Sequence, residues 1–154
     1  MSLTKVTSNV IADGTIAAAD LASNSVTTAK IADANVTSAK LDATANKQLA
    51  KAWVNFDASR NASGGTDSAN TARYIRSSFN VASVTKTGTG IYLIAFTTPS
   101  PMADANYCAI GNGSGGNPVS MSATGATTAS FSALSYYGGA FIDTPWNTVV
   151  VFGN

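Results

Sequence analysis

The chain has 154 residues and a formal net charge of +1; 45% of its residues are hydrophobic and only 11% are charged, against about 25% charged in an average soluble domain. It has no His, no Glu and one cysteine, Cys108, which excludes imidazole and clustered-thiolate metal sites, Ser–His and Cys–His catalytic pairs, and an intrachain disulfide. The near-neutral charge argues against an electrostatic nucleic-acid binder, and no apolar run reaches the about 18 residues of a membrane span.

The few charges are unevenly placed. Every Lys and Arg lies between Lys5 and Lys86, and beyond Lys86 only Asp104 and Asp143 remain. A monomer usually stays soluble through surface charge. A long uncharged stretch of Thr, Ser, Gly and aromatics therefore reads either as surface that meets other surfaces or as a plain polar β domain.

The N-terminal segment is a repeat. Val6, Ile11, Ile16, Leu21, Val26, Ile31, Val36 and Leu41 follow one another at five-residue steps, and Val26-Thr-Thr-Ala-Lys30 returns as Val36-Thr-Ser-Ala-Lys40. A five-residue step rotates about 140° on an α-helix, so the apolar residues would spiral around it. On a strand it alternates faces. A chain that turns at every repeat can point all eight the same way, a pattern that resembles the four-sided β-helix of pentapeptide-repeat proteins. Eight pentads make only two coils, fewer than a solenoid usually needs to stand alone. This points to burial between chains, as in an intertwined trimeric shaft. A right-handed helical supercoil with a 15-residue period stays open as the alternative geometry. Residues 41–51, without Gly or Pro, read as a short helical linker.

From Trp53 onward the signal is β. Strand-like runs occur at 53–56, 75–84, 91–98, 107–110, 119–123, 129–134 and 148–152. They are separated by Ser63-Gly-Gly65, Thr87-Gly-Thr-Gly90, Pro99-Ser-Pro101, the Gly-rich 111–118 and Gly138-Gly139. Short strands between Gly and Pro turns predict an antiparallel sandwich or barrel, with Thr87–Gly90 as the clearest hairpin. The expected fold class is all-β. An antiparallel β-sandwich head (51–154) follows a pentad-repeat shaft with its linker (4–50).

A more specific likeness is carried by Lys51-Ala-Trp-Val-Asn-Phe-Asp57, Ile75-Arg-Ser-Ser-Phe-Asn-Val-Ala-Ser-Val-Thr85, Gly88-Thr-Gly90, Tyr92, Phe96-Thr-Thr98, Met102 and Ala105-Asn-Tyr107. Together with the Thr-Ala-Lys words of the repeat, these residues resemble the C-terminal region of bacteriophage and prophage tail fibre proteins, over roughly residues 6 to 107. The resemblance implies a virion component made in the host cytoplasm. It also implies a homotrimer held to other tail components, whose head recognises a host-surface glycan or outer-membrane protein, with no membrane insertion and no nucleic acid. Whether 154 residues are a whole protein or a fragment stays open. The rival reading is a monomeric carbohydrate-binding module or adhesin fragment with a pentapeptide-repeat extension.

Candidate ligand residues lie late in the chain. Tyr136, Tyr137 and Trp146 offer aromatic faces that suit sugar rings. Asn112 and Asn117 sit in the Gly-rich 111–118 stretch, read as a loop; that stretch lacks the Lys-Ser/Thr of a phosphate-binding loop. Phe141 reads as core or trimer interface, and Trp53 and Phe56 read as core. Arg73 and Arg76, flanking Tyr74, read either as ion-pair partners of a nearby Asp or as contacts for an anionic glycan. Asp104 and Asp143 lack a visible general-acid context, so no catalytic residue, metal site or cofactor is expected.

Overall fold

A computed structural model of the chain describes residues 11, 12, 14–32, 35–114 and 118–153; Val6 and Asn117 lie outside them. The chain divides into two units, one ending at Leu41 and the other spanning Asp42–Asn154.

In the first unit, backbone hydrogen bonds recur every five residues. Thr15 N–H donates to Ala12 O, Asp20 to Ala17, Ser25 to Ala22, Lys30 to Thr27, Asn35 to Ala32 and Lys40 to Thr37. Three of these turns tighten into single 3-10 turns at Ala18–Asp20, Thr28–Lys30 and Ser38–Lys40. The ten-residue repetition is visible in the side chains too: the Lys30 ammonium donates to Ser25 O, and Lys40 donates to Asn35 O. Small residues permit this geometry, because Ala, Ser and Thr leave room for one turn to follow another. The apolar residue ahead of each turn is exposed: Ile11, Ile16, Leu21, Val26, Ile31 and Val36 are 42% to 58% accessible.

The second unit opens with α1 (Ala43–Lys47), capped by Asp42, whose side chain accepts from Ala45 N at 2.7 Å. Among the described residues nine strands follow: β1 (Ala50–Asn61), β2 (Arg73–Phe79), β3 (Val81–Gly88), β4 (Ile91–Phe96), β5 (Cys108–Ser114), β6 (Pro118–Thr124), β7 (Ser130–Tyr137), β8 (Ala140–Phe141) and β9 (Trp146–Phe152). They run in the order β2-β1-β9-β5-β6-β7-β4-β3, every pairing antiparallel, with β8 added to β7. The path forms two four-stranded antiparallel layers, β2-β1-β9-β5 and β6-β7-β4-β3. The domain is thus nearly all-β, as its alternating runs predict.

Strand alternation builds the core. β1 turns Ala52, Val54, Phe56 and Ala58 inward, β9 Val149 and Val151, β4 Tyr92, Ile94 and Phe96, and β7 Phe131 and Ala133, all buried. The Phe56 and Tyr92 rings meet edge to face at 5.1 Å, joining the layers. Tyr107 closes one end against Phe96 and Phe131.

Several local readings are corrected. The 75–84 run is two strands, broken at Asn80, whose φ of 56° is a conformation Asn tolerates better than most residues. Asn112 is not in a loop. It lies in β5, opposite Ser120 and Thr148. β5 meets the inward positions of β9 with Ala109, Gly111 and Gly113, so its alternation is nearly silent in the sequence. Trp53 is half-buried rather than core, and Phe141 is not in the core of the single chain.

Candidate functional site

Trp146 stands out because its neighbours are pinned. Thr144 and Asn147 are buried and bonded to each other: Thr144 Oγ1 donates to Asn147 Oδ1 at 2.7 Å, and Asn147 Nδ2 donates to Thr144 O at 2.7 Å. Trp146, one step before inward Asn147, is therefore forced outward and is 53% exposed.

Arg76 lies on this indole, its guanidinium carbon 4.0 Å from the ring centroid. A β-bulge explains its placement. Asn55 pairs with Ser77 and Phe56 with Ile75, so Arg76 has no partner on β1. Such a slip re-aims a side chain. Arg76 Nη2 donates to Asp57 Oδ2 at 2.6 Å. The Asp57 carboxylate is almost completely covered and also accepts from Ser59 N and Oγ, with Arg60 Nε 3.5 Å away. Two guanidinium groups thus share one carboxylate, leaving one positive charge in excess. Arg76 Nη1 is buried and lacks a hydrogen-bond partner.

These residues border an open hollow of about 450 Å³, lined by Asp57, Arg60, Ser63, Gly64, Tyr74 and Arg76. Its rim is a tight turn: Gly64 N–H donates to Asn61 O at 2.8 Å, and Asn61 Oδ1 accepts from Ser63 N and Gly65 N. Gly64 has φ +87°, and a Cβ there would sit 3.9 Å from the Tyr74 ring. Tyr74 is exposed. The segment beyond is tied to Arg73, whose buried guanidinium donates to the carbonyls of Ala58, Asp67, Ala69 and Thr71 and pairs with Asp67 at 3.5 Å. The Ala69 N–H bonded to the Asp67 carboxyl, with smaller help from Thr71 and Arg73, holds that carboxyl below its usual range against the opposing effect of desolvation. Both Arg73 and Arg76 are thus ion-pair partners of Asp residues, one of the two readings their spacing allowed.

The other aromatic candidates form a separate group. Tyr136 and Tyr137 are exposed at the end of β7, and Tyr136 meets Phe141 edge to face at 5.4 Å. Asn112, Ser120, Tyr136 and Phe141 occupy one register row across four strands. Trp146 lies off this row, opposite Ser114.

Asp143 is engaged in structure. Its Oδ1 accepts from Tyr92 OH at 2.6 Å and from Gly90 N at 2.8 Å, and its Oδ2 pairs with buried Lys86 at 2.5 Å. Burial pushes this carboxyl up, but the hydrogen bonds from Lys86, Tyr92 and Gly90 outweigh it and hold it low. Burial, then the bond to Asp143, drives the Tyr92 phenol up. Asp104 caps a bend, accepting from Asn106 N. Among the described residues no group of three or more His, Cys, Asp or Glu side chains stands ready to hold a metal, and no helix is long and apolar enough to cross a membrane.

Comparison with family models, curated proteins and solved structures gave no match.

The sequence reading missed the Arg60–Asp57–Arg76 grouping. Arg-Tyr-Ile-Arg at 73–76 marks the cations, but only the bulge brings Arg76 beside Asp57.

Proposed function

We propose that the chain is a bacteriophage tail-fibre component that assembles as a homotrimer through its pentad segment and attaches to a glycan or protein on the host-cell surface through its β domain. The observation that carries this reading is the regular exposure of the pentad residues. Each large apolar side chain from Ile11 to Val36 precedes a turn and is left about half uncovered by its own chain. Covering such side chains contributes on the order of 1 kcal/mol each, so several per chain across three chains are enough to drive association. The scarcity of charge after Lys86, where only Asp104 and Asp143 are charged, and the exposed Tyr136, Tyr137 and Trp146 support a surface that meets a receptor rather than open solvent.

Attachment in this reading is multivalent. Three copies of a weak site on one fibre, and several fibres on a virion, give avidity without a strong single contact. The chain acts by binding, without a cofactor and without chemistry on the receptor.

The test compares the intact chain with an Ile16→Ser/Leu21→Ser/Val26→Ser variant on immobilised bacterial surface polysaccharides and outer-membrane fractions. The intact chain is expected to dissociate at least tenfold more slowly than the variant from the surface it recognises. Equal dissociation, or no retention on any surface, contradicts the reading.

A further inference from the structure

We infer that the hollow between the 61–65 turn and β2 is a binding site for a carboxylate-bearing sugar unit. Three features of the hollow carry this.

The first is charge. Arg60 and Arg76 share the Oδ2 of Asp57, whose Oδ1 already accepts from Ser59 N and Oγ. The Arg60 side chain is 53% exposed. It donates from Nη1 to Gly64 O at 3.0 Å, and among the described residues Asp57 is the only acid with which it forms an ion pair. A guanidinium fork matches a carboxylate in two parallel hydrogen bonds.

The second is the aromatic wall. Tyr74 lines the same hollow and is exposed. The residue against its ring edge is Gly64, at a φ that L side chains rarely adopt. Tyr74 presents part of its ring, 39% exposed, beside the cations, and an aromatic face is what a pyranose stacks upon.

The third is rigidity. Arg76 is clamped between Asp57 and Trp146, and Tyr74 follows Arg73, whose guanidinium is anchored by four backbone carbonyls. Ordering costs on binding are low where the site is already held. The hollow adds the Ser63 hydroxyl as a partner for ring hydroxyls.

This inference rests on the attachment reading only for the origin of the sugar. Binding of the intact chain to tetragalacturonate and to sialyllactose is measured by calorimetry, with the fully methyl-esterified tetragalacturonate as the uncharged control. The mass of each sample is read in parallel. At least one acidic sugar is expected to bind, and the ester at least tenfold more weakly. Arg60→Gln and Tyr74→Ala, both at exposed side chains, are each expected to weaken that binding at least tenfold while the oligomeric mass is unchanged. Equal binding of acid and ester, no binding of either acid, or wild-type affinity in Arg60→Gln overturns the site. Competition by inorganic phosphate with Tyr74→Ala unaffected would reduce it to a bare anion site and overturn the sugar assignment. A sample that keeps its oligomeric mass but binds no acidic sugar refutes this site alone; a monomer that binds the sugar refutes the trimer alone.

Discussion

Arg76 stacks on Trp146, far along the chain from it, with 4.0 Å between the guanidinium carbon and the ring centroid. The contact couples β2 to β9 across β1, and it stiffens the hollow lined by Arg60, Arg76 and Tyr74. A cation over an indole contributes about 0.5–1 kcal/mol where the pair is solvent-exposed. Trp146→Leu is expected to cost about 1 kcal/mol in denaturant unfolding, and Trp146→Phe roughly half of that. Equal losses in the two variants would show that area, not the π face, is what matters.

Asp143 and Lys86 form an ion pair in the β domain whose lysine is buried. Asp143→Asn strands an ammonium that is 3% exposed, and breaking a buried pair by removing one partner costs roughly 3–5 kcal/mol. The expected loss is at the lower end, about 3 kcal/mol, because Asp143 is partly open and Lys86 keeps its bond to Ser68 O. The Lys86→Met/Asp143→Asn double variant should recover part of it. A double variant as unstable as Asp143→Asn alone would contradict this.

The same carboxyl sets an acid limit. The Asp143 and Asp67 carboxyls are both held below the ordinary aspartate range. A carboxyl whose folded pKa is depressed stabilises the fold above its unfolded value, and the benefit is lost as pH falls through the folded value. Stability should therefore fall as pH drops below about 4. That slope should be shallower in Asp143→Asn. An identical acid slope in the variant would remove Asp143 from the account.

Gly90 is fixed by contact as well as by conformation. Its φ is +64°, its N–H donates to Asp143, and a Cβ there would fall 2.6 Å from Ser135 O and 2.7 Å from Ile142 N. Gly125 has a similar φ of +62° with open space around it. Gly125→Ala should cost only the left-handed strain of about 1–2 kcal/mol. Gly90→Ala should cost about 1–3 kcal/mol more, the cost of overpacking. Thermal unfolding of the pair decides it; equal losses would mean the backbone relaxes freely around Gly90.

What the sequence discloses divides along physical lines. The β runs are legible wherever apolar side chains alternate, as in Ala52, Val54 and Phe56 or Tyr92, Ile94 and Phe96. The Thr87–Gly90 hairpin is legible because glycine marks the turn; β3 and β4 do pair there. β5 is half hidden because glycine carries no side chain to alternate. The break at Asn80 is hidden because Asn in a left-handed conformation leaves no hydropathy trace. Trp146 is legible as an aromatic in a polar setting, but its partner is not. A bulge on β2 and a tie between Lys86 and Asp143, 57 residues apart, are products of register and tertiary packing. Five-residue periodicity is plain in the sequence and returns as backbone hydrogen bonds at five-residue steps, and its apolar residues stay exposed in the single chain.

The central claim is that these apolar pentads are covered by other copies of the chain. Absolute mass in solution, by light scattering after size exclusion over a hundredfold range of concentration, tests it directly. The account predicts three chains per particle at every concentration, and dissociation in the Ile16→Ser/Leu21→Ser/Val26→Ser variant with the β domain still folded. A single chain per particle at all concentrations would contradict it, and would favour a monomeric carbohydrate-binding module with a repeat extension.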